Sequence, residues 1–122
     1  MNHIKNFLML LRELQKIDPE FPLQYAVCLG TITLDEGLSI SELAEKTRLS
    51  LSTVSRIVGA LSNTRQKGEA YGLIQVKICP QEKRKKELYL SAKGRLFMDS
   101  IASLLENQQS TAKSTSRIAT AV

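Results

Sequence analysis

The chain alternates between segments with helical hydrophobic spacing and two short segments with strand-like alternation. The first segment predicts a helix over residues 4–17, whose apolar stripe at i, i+3, i+4 and i+7 consists of Ile4, Phe7, Leu8, Leu11 and Leu14. Pro19 and Pro22 then end that helix. Apolar residues predict a second, mostly buried helix over 23–35, with Val27 and Leu34 among its buried positions. A last long helix is predicted over 92–107, which Ser91 caps.

Residues 41–63 predict two helices separated by a tight turn. Ser41 is a candidate N-cap for a short helix that ends at Lys46, and Ser50 is a candidate N-cap for the helix over 51–63. The inward face of that second helix carries Val54, Ile57, Val58 and Leu61. Two short helices joined by three or four residues indicate a helix-turn-helix.

The alternating segments 73–78 and 87–91 predict two strands of a hairpin. A basic stretch lies between them, so that residues 79–87 form a charged tip, the wing. The expected fold class is mainly α with a small β-hairpin (α+β), a winged helix-turn-helix with N- and C-terminal helices. We expect one domain over 1–107 and a Ser/Thr/Ala-rich tail over 108–122 that is either frayed or disordered.

The charge distribution favours a polyanionic partner. The chain of 122 residues has a formal net charge of +5, but residues 48–95 alone carry +8. A basic region of this kind is typical of a surface that binds nucleic acid. An anionic membrane is the competing partner, but it requires a basic helix face opposite a large apolar face. The densest charge here lies between two strands, so we expect no membrane partner.

Other kinds of chemistry find little support in the composition. His3 is the single histidine and the chain has two cysteines, so we expect no metal site, no cofactor and no enzyme activity. The two cysteines form no disulfide framework, which favours a reducing cytoplasm. We expect Cys28 in the core and Cys79 exposed beside Pro80. A small-molecule effector site finds no support beyond Tyr25 and Tyr71, for which core packing is the alternative.

Double-stranded DNA is therefore the expected partner. The second helix of a helix-turn-helix enters the major groove, where hydroxyls reach bases or phosphates and an arginine can bind guanine. The wing lies beside the duplex, where lysine and arginine meet phosphates or enter the minor groove. The candidate DNA-binding residues are Ser50, Ser52, Thr53, Ser55, Arg56, Arg65, Lys67, Lys83, Arg84, Lys85 and Lys86.

The stretches "ISELAEKTRLSLSTVSRIVGAL", "GLIQV" and "EKRKKELYLSAKG" together resemble the MarR-type winged-helix transcription regulators over residues 23–105. In that family the wing carries an acidic residue, a basic residue and an arginine that enters the minor groove; Glu82, Lys83 and Arg84 occupy those places. The resemblance implies a homodimer joined through the terminal helices that binds a pseudo-palindromic operator, most often as a repressor.

Three features depart from the family pattern. The link "SNTRQKGEA" is longer than usual, and the C-terminus lacks a second terminal helix, which weakens the expectation of the usual dimer. Leu51 stands where the family often has a polar residue, and it either contacts a thymine methyl or packs on the protein. Two alternatives stay open, a winged-helix DNA binder in plasmid or phage replication, partition or DNA architecture, and a protein-interaction module that uses the basic wing.

Overall fold

The computed structural model describes residues 3–63, 70–82 and 85–119, with side chains up to residue 106 in the last range. The elements in chain order are α1 (His3–Ile17), α2 (Leu23–Leu34), α3 (Ile40–Thr47), α4 (Leu51–Leu61), β1 (Ile74–Ile78), β2 (Lys86–Leu90) and α5 (Ala92–Ala119). The predicted fold class is confirmed, since the described residues form five helices and a single two-stranded antiparallel hairpin.

The chain forms two compact units. The winged unit is Phe21–Leu96, and the terminal unit combines Met1–Glu20 with Phe97–Val122. The expectation of a single domain over 1–107 stays a prediction.

The core of the winged unit gathers apolar side chains from all three of its complete helices and from the hairpin. The inward face of α4 is confirmed, because Val54, Ile57 and Leu61 have no exposed surface and Val58 is 4% exposed. The other fully buried side chains are Cys28, Leu29, Ile32, Leu43, Leu73 and Leu88. Burial of these side chains is the main force that holds α4 in place.

The helix-turn-helix forms as predicted, with one correction at its start. Ser39, not Ser41, is the N-cap of α3, because its hydroxyl accepts the N–H of Glu42 (3.1 Å) while the Glu42 carboxylate accepts the N–H of Ser39 (2.8 Å). This reciprocal capping box holds the helix start more firmly than a single cap. Arg48 ends α3 in the left-handed region (φ 60°), and the turn leads directly to α4.

Strands β1 and β2 pair in a register that places Ile74 opposite Leu90 and Ile78 opposite Lys86. The free edge of β2 is covered by residues 37–39, since Leu88 exchanges backbone hydrogen bonds with Gly37 and Leu38 (2.7 and 2.9 Å). Gly94 at the start of α5 lies against the Leu73 carbonyl, where a Cβ atom would collide with the backbone. The winged unit therefore requires glycine at this position.

Helix α2 is less buried than its composition predicts. Val27 is 47% exposed and Leu34 is 91% exposed, although both were expected to be mostly buried. Apolar residues surround α2 on all sides, so that periodicity does not select a buried face. Only Cys28, Leu29 and Ile32 are buried, which corrects the expectation for Val27 and Leu34.

In the terminal unit, α1 forms as predicted but buries none of its residues. Three members of its apolar stripe remain exposed, Ile4 by 79%, Phe7 by 56% and Leu8 by 45%. Helix α5 continues to Ala119, beyond the predicted end at residue 107. No proline or glycine follows Gly94 in the sequence, so that nothing in the residue types stops the helix earlier.

Candidate nucleic-acid interface

The start of α4 is built around the Ser50 hydroxyl. This oxygen accepts the backbone N–H of Thr53 (3.1 Å), donates to the Thr53 hydroxyl (2.8 Å) and lies 3.3 Å from the Ser52 hydroxyl. The predicted N-cap is therefore confirmed. Its direct contact with DNA stays a prediction, because the same hydroxyl already satisfies one of the free N–H groups at the helix start.

The face of α4 opposite the core is open to solvent. It brings together four exposed side chains, Leu51, Ser52, Ser55 and Arg56, while Thr53 is half-buried. These residues stand on the first two turns, the part of a recognition helix that lies nearest to base edges. The face combines one cation, two hydroxyls and one aliphatic side chain, which is a set suited to the major groove.

The wing continues from this face within the same unit. A tight turn closes it, in which Cys79 N–H donates to the Lys85 carbonyl and Lys85 N–H donates to the Glu82 carbonyl, both at 2.8 Å. The side chains of Lys85, in this turn, and of Lys86, which follows it, are exposed. Lys83 and Arg84 of the wing, and Arg65 and Lys67 of the long link, lie outside the described residues.

A carboxylate that the sequence analysis missed fixes the base of the wing. Oε1 of Glu36 accepts the N–H of Leu90 (2.8 Å), and the Arg95 guanidinium donates to both oxygens of the same carboxylate (2.8 Å). These contacts, the Glu36 clasp, join the end of β2 to the start of α5. The Arg95 side chain first, and the Leu90 N–H second, hold the pKa of Glu36 below its ordinary value.

A second set of polar contacts, which involves Tyr89, Glu87 and Lys77, lies on the strands of the hairpin. The hydroxyl of Tyr89 donates to Glu87 (3.1 Å), and Nζ of Lys77 lies 4.7 Å from the centre of the Tyr89 ring. The hydrogen bond to the Glu87 carboxylate raises the pKa of Tyr89. Lys77 thus adds a cation to strand β1 next to the wing, held over an aromatic ring.

An open cavity of about 480 Å³ lies between the start of α3, the first two turns of α4 and the wing. Its walls carry two lysines, three serines, one glutamate and two aliphatic residues, namely Lys85, Lys86, Ser39, Ser41, Ser55, Glu82, Ile40 and Leu51. Hydroxyl and ammonium groups dominate this set, and both donate hydrogen bonds to phosphate oxygens.

Both cysteines are buried rather than exposed at the candidate interface. Cys28 is fully buried, which raises the pKa of its thiol to about 11. Cys79 is 8% exposed, so the expectation that it is exposed is wrong; its Sγ lies 3.6 Å from Oε1 of Gln81. Within the described ranges no group of three or more His, Cys, Asp or Glu side chains is arranged to hold a metal ion.

Tyr25 and Tyr71 pack in an aromatic cluster. Their ring centres lie 6.0 Å apart in an edge-on arrangement, and Phe21 lies 5.0 Å from Tyr71. Tyr71 is 6% exposed, which favours the packing alternative over an effector pocket. Of the helices in the described part of the chain, none has the length and apolar character to cross a membrane.

These features define a winged helix-turn-helix. Residues 29–64 match the family model described as winged helix-turn-helix DNA-binding. No curated protein matches the sequence.

Solved structures of MarR-type proteins share the fold. A point mutant of S. aureus MepR bound to an oligodeoxyribonucleotide has a TM-score of 0.69 at 19% identity, and the match covers 90% of this chain and 75% of that one. Streptococcus pneumoniae FabT in complex with DNA has a TM-score of 0.66 at 18% identity, and the match covers 91% of this chain and 75% of that one. A point mutant of E. coli MarR complexed with operator DNA has a TM-score of 0.63 at 18% identity, and the match covers 86% of this chain and 69% of that one. The resemblance to MarR-type regulators is thereby confirmed at the level of the fold.

Proposed function

We propose that the chain is a sequence-specific regulator of transcription that binds double-stranded DNA in the cytoplasm. The observation that carries this proposal is the exposed face of α4 next to a basic wing in one compact unit. In this arrangement α4 enters the major groove and the wing lies along the flanking minor groove. Residues 48–95, which contain both elements, carry the net charge of +8 that phosphates would offset.

The similar structures support this proposal. MepR, FabT and MarR are each described in complex with DNA or an oligodeoxyribonucleotide, and each shares the fold of this chain. We carry DNA over to this chain as its partner, and the charge distribution of the chain predicts the same partner. Repression, the usual outcome in the family, is the regulatory role we propose.

We also propose that the regulator is a homodimer joined through its terminal helices. Helix α1 buries none of its residues, and Ile4, Phe7 and Leu8 leave an apolar stripe exposed in the single chain. An exposed apolar stripe of this kind indicates an interaction surface. A second copy would cover it symmetrically.

The dimer is tested by light scattering at tens of micromolar protein. We expect a dimer for the natural chain, and a shift toward monomer for Phe7→Ala. Lys5→Ala, a truncation of an exposed residue on the same helix, is the matched control and leaves the mass unchanged. A monomer for the natural chain at this concentration would contradict the dimer but not DNA binding.

The regulator is tested by selection from a randomised duplex pool at physiological salt, followed by sequencing. We expect a two-fold symmetric motif with half-sites about one helical turn apart. Enrichment of an origin sequence, or strong binding without sequence preference, would favour a role in replication, partition or DNA architecture. Absence of duplex binding even at low salt would favour a protein-interaction module.

Two substitutions separate base reading from phosphate binding on the selected duplex. We expect Arg56→Ala to relax base preference at one position of each half-site, at roughly 1–3 kcal/mol of discrimination. Arg84→Ala is expected to lower affinity for all sequences and to reduce the salt slope by about one for each phosphate that is no longer neutralised. If neither change alters binding, the assignment of α4 and the wing to DNA is wrong.

A further inference from the structure

Leu51 is an aliphatic side chain placed at the tip of a recognition helix. It is the first residue of α4 and it is 54% exposed, whereas Leu61 at the other end of the helix is fully buried. Packing on the protein therefore accounts for less than half of its surface. The hydroxyls on either side, those of Ser50 and Ser52, approach each other in the cap. Leu51 is thus the side chain of this turn that remains free to meet a ligand by apolar contact.

The cavity shows which edge of α4 Leu51 occupies. Leu51 and Ser55, one turn apart, both line the cavity that α4 shares with the wing and with the start of α3. The described lining includes neither Ser52 nor Arg56, which stand one residue further round the helix. The exposed face of α4 therefore has a wing-side edge with Leu51 and a far edge with Arg56.

The position of the cavity relates these edges to the duplex. If α4 lies in the major groove and the wing in the adjacent minor groove, the sugar-phosphate strand that separates the two grooves must pass between them. The cavity occupies that place, and it offers the lysines and serine hydroxyls that phosphates require. The wing-side edge of α4 therefore faces the wall of the major groove, next to the backbone.

We propose that Leu51 reads a thymine methyl group at that wall, so that each half-site carries thymine at one fixed position. The methyl group on C5 of thymine projects into the major groove at the backbone side of the base, and it is the apolar feature of the groove edge. An aliphatic side chain makes no hydrogen bond with the donors and acceptors of the other bases. This inference rests on the proposed DNA-binding function and names the base that Leu51 selects.

The test uses the full chain and the duplex enriched in the selection. Each thymine of the half-site is replaced in turn by deoxyuridine, which keeps base pairing and removes only the methyl group. For the natural chain we expect one position at which this replacement weakens binding about fourfold per half-site, the effect of one buried methyl. For Leu51→Ala we expect thymine and deoxyuridine to bind equally at that position. Leu34→Ala, which truncates a leucine that is 91% exposed on α2, is the matched control and keeps the fourfold difference.

Each other outcome overturns the proposal in a distinguishable way. A half-site without thymine, or no effect of deoxyuridine at any thymine, shows that no methyl is read. A methyl effect that persists in Leu51→Ala without any loss of affinity shows that another side chain reads the methyl. A methyl effect that persists while Leu51→Ala weakens binding to both bases equally shows that Leu51 packs on a sugar. All three leave sequence-specific binding intact, whereas absence of any duplex binding refutes the regulator itself.

Discussion

Helices α1 and α4 carry the same sequence signature and have opposite fates. Both place apolar residues at i, i+3, i+4 and i+7. In α4 the whole stripe is buried, and Val54 and Ile57 have no exposed surface. In α1 no residue is buried, and Ile4 is 79% exposed.

The difference lies in what each helix meets within one chain. Helix α4 is enclosed by the core of the winged unit, and its polar face is what remains for a ligand. Helix α1 leaves the first part of its apolar stripe exposed in the single chain, at Ile4, Phe7 and Leu8. An amphipathic pattern therefore predicts a helix and its apolar side, but not whether the chain itself supplies the covering surface.

The largest predicted effect tests this difference directly. We expect Ile57→Ala to lower the free energy of unfolding by about 2–5 kcal/mol, because it leaves a cavity in a closed core. The loss is expected to be the same at any protein concentration. Phe7→Ala is expected to cost within about 0.5 kcal/mol in dilute monomer, as for other exposed sites.

The measurement is urea unfolding of both variants at two protein concentrations. In the proposed dimer the cost of Phe7→Ala grows with concentration, because association stabilises the folded chain by mass action. A cost for Phe7→Ala as large as that for Ile57→Ala in dilute solution would show that α1 is already covered within the single chain.

The next effect concerns the start of α4. We expect Ser50→Ala to cost about 1 kcal/mol, since it leaves the Thr53 N–H without the acceptor that caps the helix. Ser52→Ala removes a hydroxyl that approaches Ser50 at 3.3 Å but caps nothing in α4, so it serves as the control. Thermal unfolding measures both. Equal losses would show that the hydroxyl cluster, rather than the cap, stabilises the helix.

The elements of the winged unit were predictable because each depends on local spacing. Residues close together in the sequence predict the buried face of α4, the Ser50 cap and the two strands. The capping box of α3 is also present in the sequence as Ser39-x-x-Glu42, although the predicted cap is Ser41.

Features that depend on distant residues were not predictable. Glu36 and Arg95 are separated by 59 positions, and no local pattern indicates that they meet at the base of the wing. Burial of Cys79 follows from how the hairpin sits in its unit, whereas the neighbouring Pro80 suggested an exposed turn. The exposure of Leu34 likewise depends on which side of an apolar helix finds a partner.

The smallest predicted effect concerns the Glu36 clasp. We expect Glu36→Gln to cost about 1 kcal/mol or less at neutral pH, because glutamine keeps an acceptor for Leu90 but loses the charge that pairs with Arg95. The partly exposed guanidinium limits the effect. Glu45→Gln, which neutralises an exposed carboxylate on α3, is the matched control.

The pH dependence identifies the charge as the cause of this loss. The folded state lowers the pKa of Glu36 below its ordinary value of 4.5, so its contribution is fully present above pH 4.5. The contribution is lost as the pH falls through the lowered pKa, where the folded carboxylate takes up a proton. Chemical unfolding should therefore separate Glu36→Gln from the natural chain at pH 7 and show the two converging as the pH falls below 4.5. A difference that did not diminish with falling pH would assign the loss to packing instead.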